Sequence, residues 1–581
     1  MGVLFPVLLA AVPIIILPRW SFYFDVIPKI ALVLAIAALA ISCARFWRVP
    51  ESSRGRRFLW LCAAQAGAAV LATVFSTHRA LSFFGSTWRK EGLPEELAIL
   101  TAAAAVFTFL SDDRGRIASF LRVTVIASLP VSLYGIAQYF GIDPWISRAA
   151  YHFGEGKFEI VRPPSTLAHA AYFATFLLYP LFAGAAVARG EASRVLKTMA
   201  IAASGAAGFA ILLSGTRAAI VGAIAGALFV ALREGVNTSG LRKIAAGAAS
   251  ALAVLGAFYV SPAGAQLRAR VHWSLDDRLG GARLLLWRDT LRMAEGHWMT
   301  GYGPETFVVE FPASESLGLA KAYPDFYHES PHNIFLDALV SKGALGLIVL
   351  GAWALFGVVL ARGAIGGSFV AMLVSQQFTA FTVPTELYFY VAIAILAAEA
   401  CELSVERAPH AILRWALAAP LVCFAAYLAI GDAMLASAAR ALDRNDAAGA
   451  ARMLDRARSW RATADIYFSR RLLTAHFSDP VARLMAWKDA MEAARSAPAT
   501  ADDPMNAFVN LASFYAGEGD QRNVEESLRA SAEAAPNWFK PHSLLSRLFA
   551  LEGRNAEAAA EAHAAAERDG GKDVPPESEA R

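Results

Sequence analysis

The chain has 581 residues, 56% hydrophobic and 18% charged, with a mean hydropathy of +0.43. That balance excludes an ordinary soluble protein, and a net charge of only +4 gives no reason to invoke nucleic acid. Cys43, Cys62, Cys401 and Cys423 lie in or beside apolar runs as small packing residues, with neither a disulfide framework nor zinc spacing.

Residues 1–431 hold repeated apolar runs, whereas 432–581 are alanine-rich, charged and free of them. A helix crosses a bilayer with about 20 apolar residues. The first part therefore reads as an all-α, polytopic membrane bundle of 12–13 spans, and the tail as a soluble α-helical domain. Expected spans are 3–18, 28–45, 58–75, 96–110, 117–140, 165–188, 198–214, 218–232, 244–260, 334–360, 365–383, 386–402 and 411–431. No basic region precedes the first, which reads as an uncleaved span. The second connection carries Arg45, Arg48, Arg54, Arg56 and Arg57, and the later even-numbered connections are also basic. By the positive-inside rule these face the cytoplasm, with the N-terminus. The odd-numbered connections and the tail then face outward.

The outward connections carry most of the unusual residues. Loop 76–95 is polar and glycine-punctuated and contains Arg89, and loop 141–164 ends in Arg162-Pro163-Pro164, just before Ser165, Thr166 and His169. Arg217 closes a tight turn, Ser214-Gly215-Thr216-Arg217, between two spans; its bland alternative is an arginine snorkelling to headgroups. The long loop 263–333 holds Arg283 and Arg288 on a segment of helical spacing, 282–295, for which an amphipathic helix on the membrane surface is the bland alternative. Its aromatic content argues that it is ordered. Asp276-Asp277 in this loop reads as a solvated pair.

Pro331-His332-Asn333-Ile334-Phe335-Leu336-Asp337 closes that loop and opens an apolar run. Polar residues at the mouth of a span are costly unless buried, paired or wet, so they read as a site, with simple capping of the span as the alternative. In the tail, Leu511, Tyr515, Glu518 and Gly519 recur 34 residues later as Leu545, Phe549, Glu552 and Gly553, the tetratricopeptide period. Residues 432–567 form the expected repeat domain and 568–581 an expected disordered tail.

An outward cavity of arginines with a histidine suits a lipid-linked diphosphate, because the guanidinium fork pairs phosphate bidentately. Arg217 and Arg283 are the candidate diphosphate ligands and His332 the candidate base for an attacking hydroxyl, in a displacement at an anomeric carbon. Arg162, Arg89, Arg288 and Asn333 are supporting candidates. The scheme needs no metal and no cofactor.

At these residues the chain resembles the O-antigen ligase and polymerase superfamily. Pro331-His332-Asn333 with Leu336, Gly343 and Gly346 is similar to its His-Asn…Gly-x-x-Gly segment, and Ser214-Gly215-Thr216-Arg217 with Gly222 to its Ser-x-x-Arg turn. Gly281-Ala282-Arg283…Trp287 and Gly301-Tyr302-Gly303 resemble its periplasmic loop, while Gly85-Ser86…Arg89…Gly92 and Tyr134-Gly135…Gln138 resemble members with tetratricopeptide tails. The resemblance implies a metal-independent, inverting glycosyltransferase of the bacterial inner membrane. It implies an undecaprenyl-diphosphate-linked glycan as donor, and a lipid A-core or other hydroxyl as acceptor. His332 takes the place of the base, and Arg217 and Arg283 those of the diphosphate ligands. Polymerisation of the glycan and O-glycosylation of protein are implied alternatives, and the repeats imply a protein partner. Two departures, at Ser341-Lys342 and at Ala168-His169-Ala170-Ala171, bear on the acceptor. A transporter of an anionic substrate is the more distant alternative; it predicts ionisable residues at mid-membrane and paired half-helices.

Overall fold

A computed structural model describes residues 4–111, 113–153, 160–234, 256–276, 282–324, 327–399, 401–404 and 408–570. Most of the expected span 244–260, Asp277, Gly281 and the stretch 571–581 lie outside the described residues. The chain is an all-α, multi-pass membrane protein. Among the described residues seven helices are long and apolar enough to cross a bilayer, and Ile27–Ser42, Gly363–Ser375 and Val383–Ala398 are shorter apolar helices. Among the described residues the strands are a single two-residue pair, His152–Phe153 against Ile160–Val161.

Val383–Ala398 forms the centre of the bundle and is buried at every position, matching a sequence that is apolar all round beyond Thr385 and Glu386 in its first turn. Leu93–Leu110 and Ala170–Gly190 pack beside it, and most of their residues are buried too. Outer helices keep one apolar face bare: Trp60 is 71% exposed and Ile412 85%. Exposed apolar faces of this extent on spanning helices fit contact with lipid. Arg217–Arg233 and Gly363–Ser375 approach so closely that a Cβ on Gly222 or Gly226 would collide with the carbonyls of Ala371 and Gly367. Small residues permit this approach.

The expected first span, 3–18, is corrected. Its helix is Leu4–Ala11, about 12 Å at 1.5 Å per residue and so too short to cross alone. Pro13 disfavours helical backbone at the residue before it, and the chain turns there. Lys29 and Thr166 satisfy the irregular segment that follows. The Lys29 Nζ donates to the carbonyls of Ile15 (3.1 Å), Asp25 (2.5 Å) and Thr166 (2.7 Å), while the Thr166 hydroxyl donates to the Pro13 carbonyl at 2.5 Å.

The helix Ile334–Leu360 is interrupted at Gly343 (φ 63°, ψ −163°). There the outer loop inserts: the Tyr302 and Gly303 amides donate to the carbonyls of Val340 (2.8 Å) and Ser341 (3.0 Å), and the Ala344 amide to Trp298 (2.7 Å). A side chain at 343 would enter a backbone region open essentially to glycine alone and would collide with the Met299 carbonyl. Gly343→Ala is expected to destabilise the protein by roughly 1–3 kcal/mol or more; thermal unfolding of the detergent-solubilised protein checks this, and an unchanged midpoint would contradict it.

No break separates the membrane part from the tail. Ala411–Asp443 is one helix across the expected boundary at 431/432. Pro504–Glu518 with Gln521–Ala534, and Phe539–Leu551 with Asn555–Arg568, form successive helical hairpins, with Gly519 (φ 75°) and Gly553 (φ 73°) in matching turns. The tail docks on the loops that carry the site. The Asp432 carboxylate accepts from the Ser21 hydroxyl and from the amides of Phe22 (3.0 Å) and Tyr23 (2.9 Å). Asp502 accepts from the Thr87 hydroxyl at 2.5 Å, and the Asn537 amide donates to the Glu315 carbonyl at 2.7 Å.

Candidate active site

Helix N-termini build the site before any side chain is considered. Six helices begin around one cavity of about 670 Å³: Ile27–Ser42, Ala170–Gly190, Arg217–Arg233, Arg283–Glu295, Ile334–Leu360 and Val383–Ala398. Residues at or just before each start line it: Val26, His169, Arg217, Arg283, His332 and Thr382. Each helix end carries roughly +0.5 of a charge from the summed peptide dipoles. Several free amides are already capped, by Asn333, His169 and the Thr382 capping box. The field of the dipoles remains, and it favours an anion.

Cationic side chains line the same space. Arg217 and Arg283 each occupy the first position of their helix, and the Arg283 guanidinium lies 6.0 Å from the Phe378 ring centre. Burial, and then repulsion from Arg283 and Arg217, pull the Arg162 pKa below its ordinary value. Arginine nevertheless stays charged. The charges of Arg217 and Arg283 thus act on Arg162 within the one cavity.

His332 faces this cluster from the end of the outer loop. Its backbone is left-handed (φ 51°), a conformation costing a residue other than glycine roughly 1–3 kcal/mol and found most at functional sites. The Ser330 hydroxyl oxygen accepts from the His332 amide at 3.3 Å and lies 3.2 Å from Nδ1. The Trp287 indole fixes the loop by donating to the Pro331 carbonyl at 3.0 Å. Burial, then the charges of Arg283, His328 and Arg89, push the His332 pKa down to about 3, so the imidazole is neutral at physiological pH.

The remaining expected residues divide. Arg162 and Arg89 line the cavity, but Arg89 is almost fully buried and already neutralised. It pairs with Glu305, with Asp337 at 3.2 Å and with Glu91 at 3.3 Å. It clamps the outer loop to the Ile334–Leu360 helix, so its place is structural. Asn333 accepts from the amides of Phe335 (3.0 Å) and Leu336 (3.2 Å) and donates to the Gln377 carbonyl (3.2 Å), which is the capping alternative. Arg288 lies outside the cavity, held by Asp289 at 2.9 Å and Ser316 at 2.7 Å. On the helix 283–295, Leu286, Met293 and Ala294 bury against Phe307, Phe311 and Val340, while Leu284 and Leu291 stay exposed, so its inner side is packed and the surface-helix alternative is left open for its outer side.

Sequence reasoning missed Lys29, Arg270 and Glu329, all of which line the cavity. Lys29 lies in an apolar run and carried a usable signal. Arg270 packs on the turn at Gly215, donating to its carbonyl at 3.4 Å, a contact that only the tertiary fold creates. Burial pushes the Glu329 carboxyl up to about 7. The Ser341-Lys342 departure also finds its reason, since Lys342 pairs with Glu96 at 2.6 Å.

Residues 202–351 match the family model described as O-Antigen ligase, a stretch that contains Arg217, Arg283 and His332. No curated protein matches the chain.

Proposed function

We propose that this chain, a member of the O-antigen ligase superfamily of membrane glycosyltransferases, transfers a glycan from undecaprenyl diphosphate to an acceptor hydroxyl on the periplasmic side of the inner membrane. The observation that carries this reading is the convergence of six helix N-termini with Arg162, Arg217, Arg283 and His332 on one cavity. The diphosphate lies among the three arginines in the dipole field. Neutral His332, with Nδ1–H donating to Ser330, accepts the acceptor's proton at Nε2. The acceptor oxygen then attacks the anomeric carbon from the face opposite the diphosphate. The bond to the leaving oxygen breaks, and its electron pair passes to the diphosphate, whose growing charge the arginines hold. The anomeric centre inverts, and no metal is required.

Lipid A-core is the leading acceptor. Surface glycans of a deletion strain test this assignment: loss of long-chain lipopolysaccharide with accumulated lipid-linked polymer is expected. Loss of chain length alone would indicate a polymerase, and an unglycosylated protein would indicate a protein acceptor. The tail follows the outer loops onto the periplasmic face, so alkaline phosphatase fused after residue 570 is expected to be active; an inactive, stable fusion would reverse the orientation.

Glu329 gives the reaction a pH dependence with a defined sign. Its carboxyl is pushed up to about 7 by burial, so it is mostly neutral at pH 6 and mostly ionised at pH 8. The ionised form competes for the arginines and repels the diphosphate. Donor KM is therefore expected to rise on the order of tenfold from pH 6 to 8, equivalent to ~1.4 kcal/mol. Glu329→Gln should abolish that rise, and a rise persisting in the variant would assign it elsewhere.

A further inference from the structure

A second cavity, of about 920 Å³, lies between the docked tail and the outer loops. It backs onto the first across two shared segments, in which neighbouring residues face opposite ways. Tyr23 and Ile27 face the second cavity, while Asp25, Val26 and Lys29 face the first; Thr87 and Lys90 face the second, while Trp88 and Arg89 face the first. The glycosyl transfer proposed for the first cavity makes no use of this space.

We propose that this second cavity binds an acidic saccharide. Its aromatic floor is Trp460 stacked on Tyr427, ring centres 5.5 Å apart at 28°, and both residues line the space. Such rings pack against the apolar C–H face of a pyranose. Its cations are Arg458, paired with Asp465 at 3.7 Å, and Lys90, Arg79 and Arg461, whose side chains make no hydrogen bond or ion pair among the described residues. The acids beside Lys90 are held by neutral donors, Asp432 by Ser21, Phe22 and Tyr23, and Asp502 by Thr87, and their charge still acts on Lys90. Arg79, Lys90, Arg458 and Arg461 line the cavity against the carboxylates of Asp432, Asp465 and Asp502, an excess of one positive charge, with Arg79 and Arg461 exposed at the aromatic face, which favours a sugar bearing carboxylate or phosphate. Lys90 (φ 56°) and Arg461 (φ 53°) are both held in left-handed backbone, a cost that persists only where the surroundings enforce it. The volume is within the roughly 300–1,000 Å³ of pockets that take ligands of several rings. That the saccharide belongs to the acceptor or donor of the first cavity rests on the proposed glycosyl transfer. The binding itself does not.

The test is binding of purified, detergent-solubilised full-length protein to an array of neutral and acidic bacterial oligosaccharides. Acidic members are expected to be retained. Trp460→Ala and Arg461→Gln are expected to lower the signal at least tenfold, and Arg217→Lys, in the first cavity, should leave it unchanged. Arg461 is exposed and its side chain makes no hydrogen bond or ion pair among the described residues, so its variant should fold even if Trp460→Ala does not. Failure to retain any acidic saccharide, equal retention of neutral ones, or wild-type binding by Arg461→Gln would each overturn the inference. So would displacement by phosphatidylglycerol vesicles more readily than by soluble acidic saccharide, which would indicate a lipid headgroup. Array binding without transfer activity would overturn the transferase reading and leave this site standing; transfer without array binding would do the reverse.

Discussion

His332→Ala is expected to lower kcat by roughly 10²–10⁴-fold, the span typical of a positioned general base, and to leave donor Kd nearly unchanged. The expectation follows from where the imidazole stands. It is neutral because burial and the neighbouring cations push its pKa down to about 3, so it is already in the form that takes a proton. A bound diphosphate brings negative charge beside it and raises that pKa, making it a stronger base when substrate is present. In the proposed arrangement the arginines, not the histidine, hold the diphosphate, so donor affinity should survive the substitution. Single-turnover transfer and donor binding, measured on the same preparation, separate the two effects. Undiminished kcat in the variant would remove the histidine from the chemistry.

Arg217→Lys and Arg283→Lys are each expected to lower kcat/KM by roughly 10²–10³-fold, about 2.7–4 kcal/mol, as for loss of one donor to a developing anion. Lysine keeps the charge but replaces a planar fork with a point donor. Arg288→Lys is the control: that side chain lies outside the cavity against Asp289 and Ser316, and its replacement should leave kcat/KM within about threefold of wild type. Equal losses at all three positions would mean that charge alone matters. A loss at 288 only would place the site elsewhere on the loop.

Much of this architecture is legible from apolar run length and from the residues that open each run. Asn333 and Thr382 precede apolar stretches, and both cap their helices. The expected span 3–18 fails because run length alone gives no weight to Pro13, and the helix stops at Ala11. Arg283 and Arg288 are near neighbours in sequence, yet five residues at about 100° each put them roughly 140° apart around a helix. Helical geometry by itself separates them. Other features have no local signal. The structural place of Arg89 depends on Glu305 and Asp337, which lie far off in sequence. Arg270 matters because of a turn at Gly215 on a distant segment. The joining of six helix N-termini depends on connections running to one face, which the sidedness of the loops suggests and only the packed bundle brings to one cavity.

The most direct measurement is the stoichiometry of products from purified protein given a radiolabelled undecaprenyl-diphosphate-linked glycan and acceptor. One undecaprenyl diphosphate released for each new glycosidic bond, with the same yield in the presence of a metal chelator, is the predicted result. Release of undecaprenyl monophosphate, abolition by chelator, or movement of the lipid-linked glycan without bond formation would contradict the account.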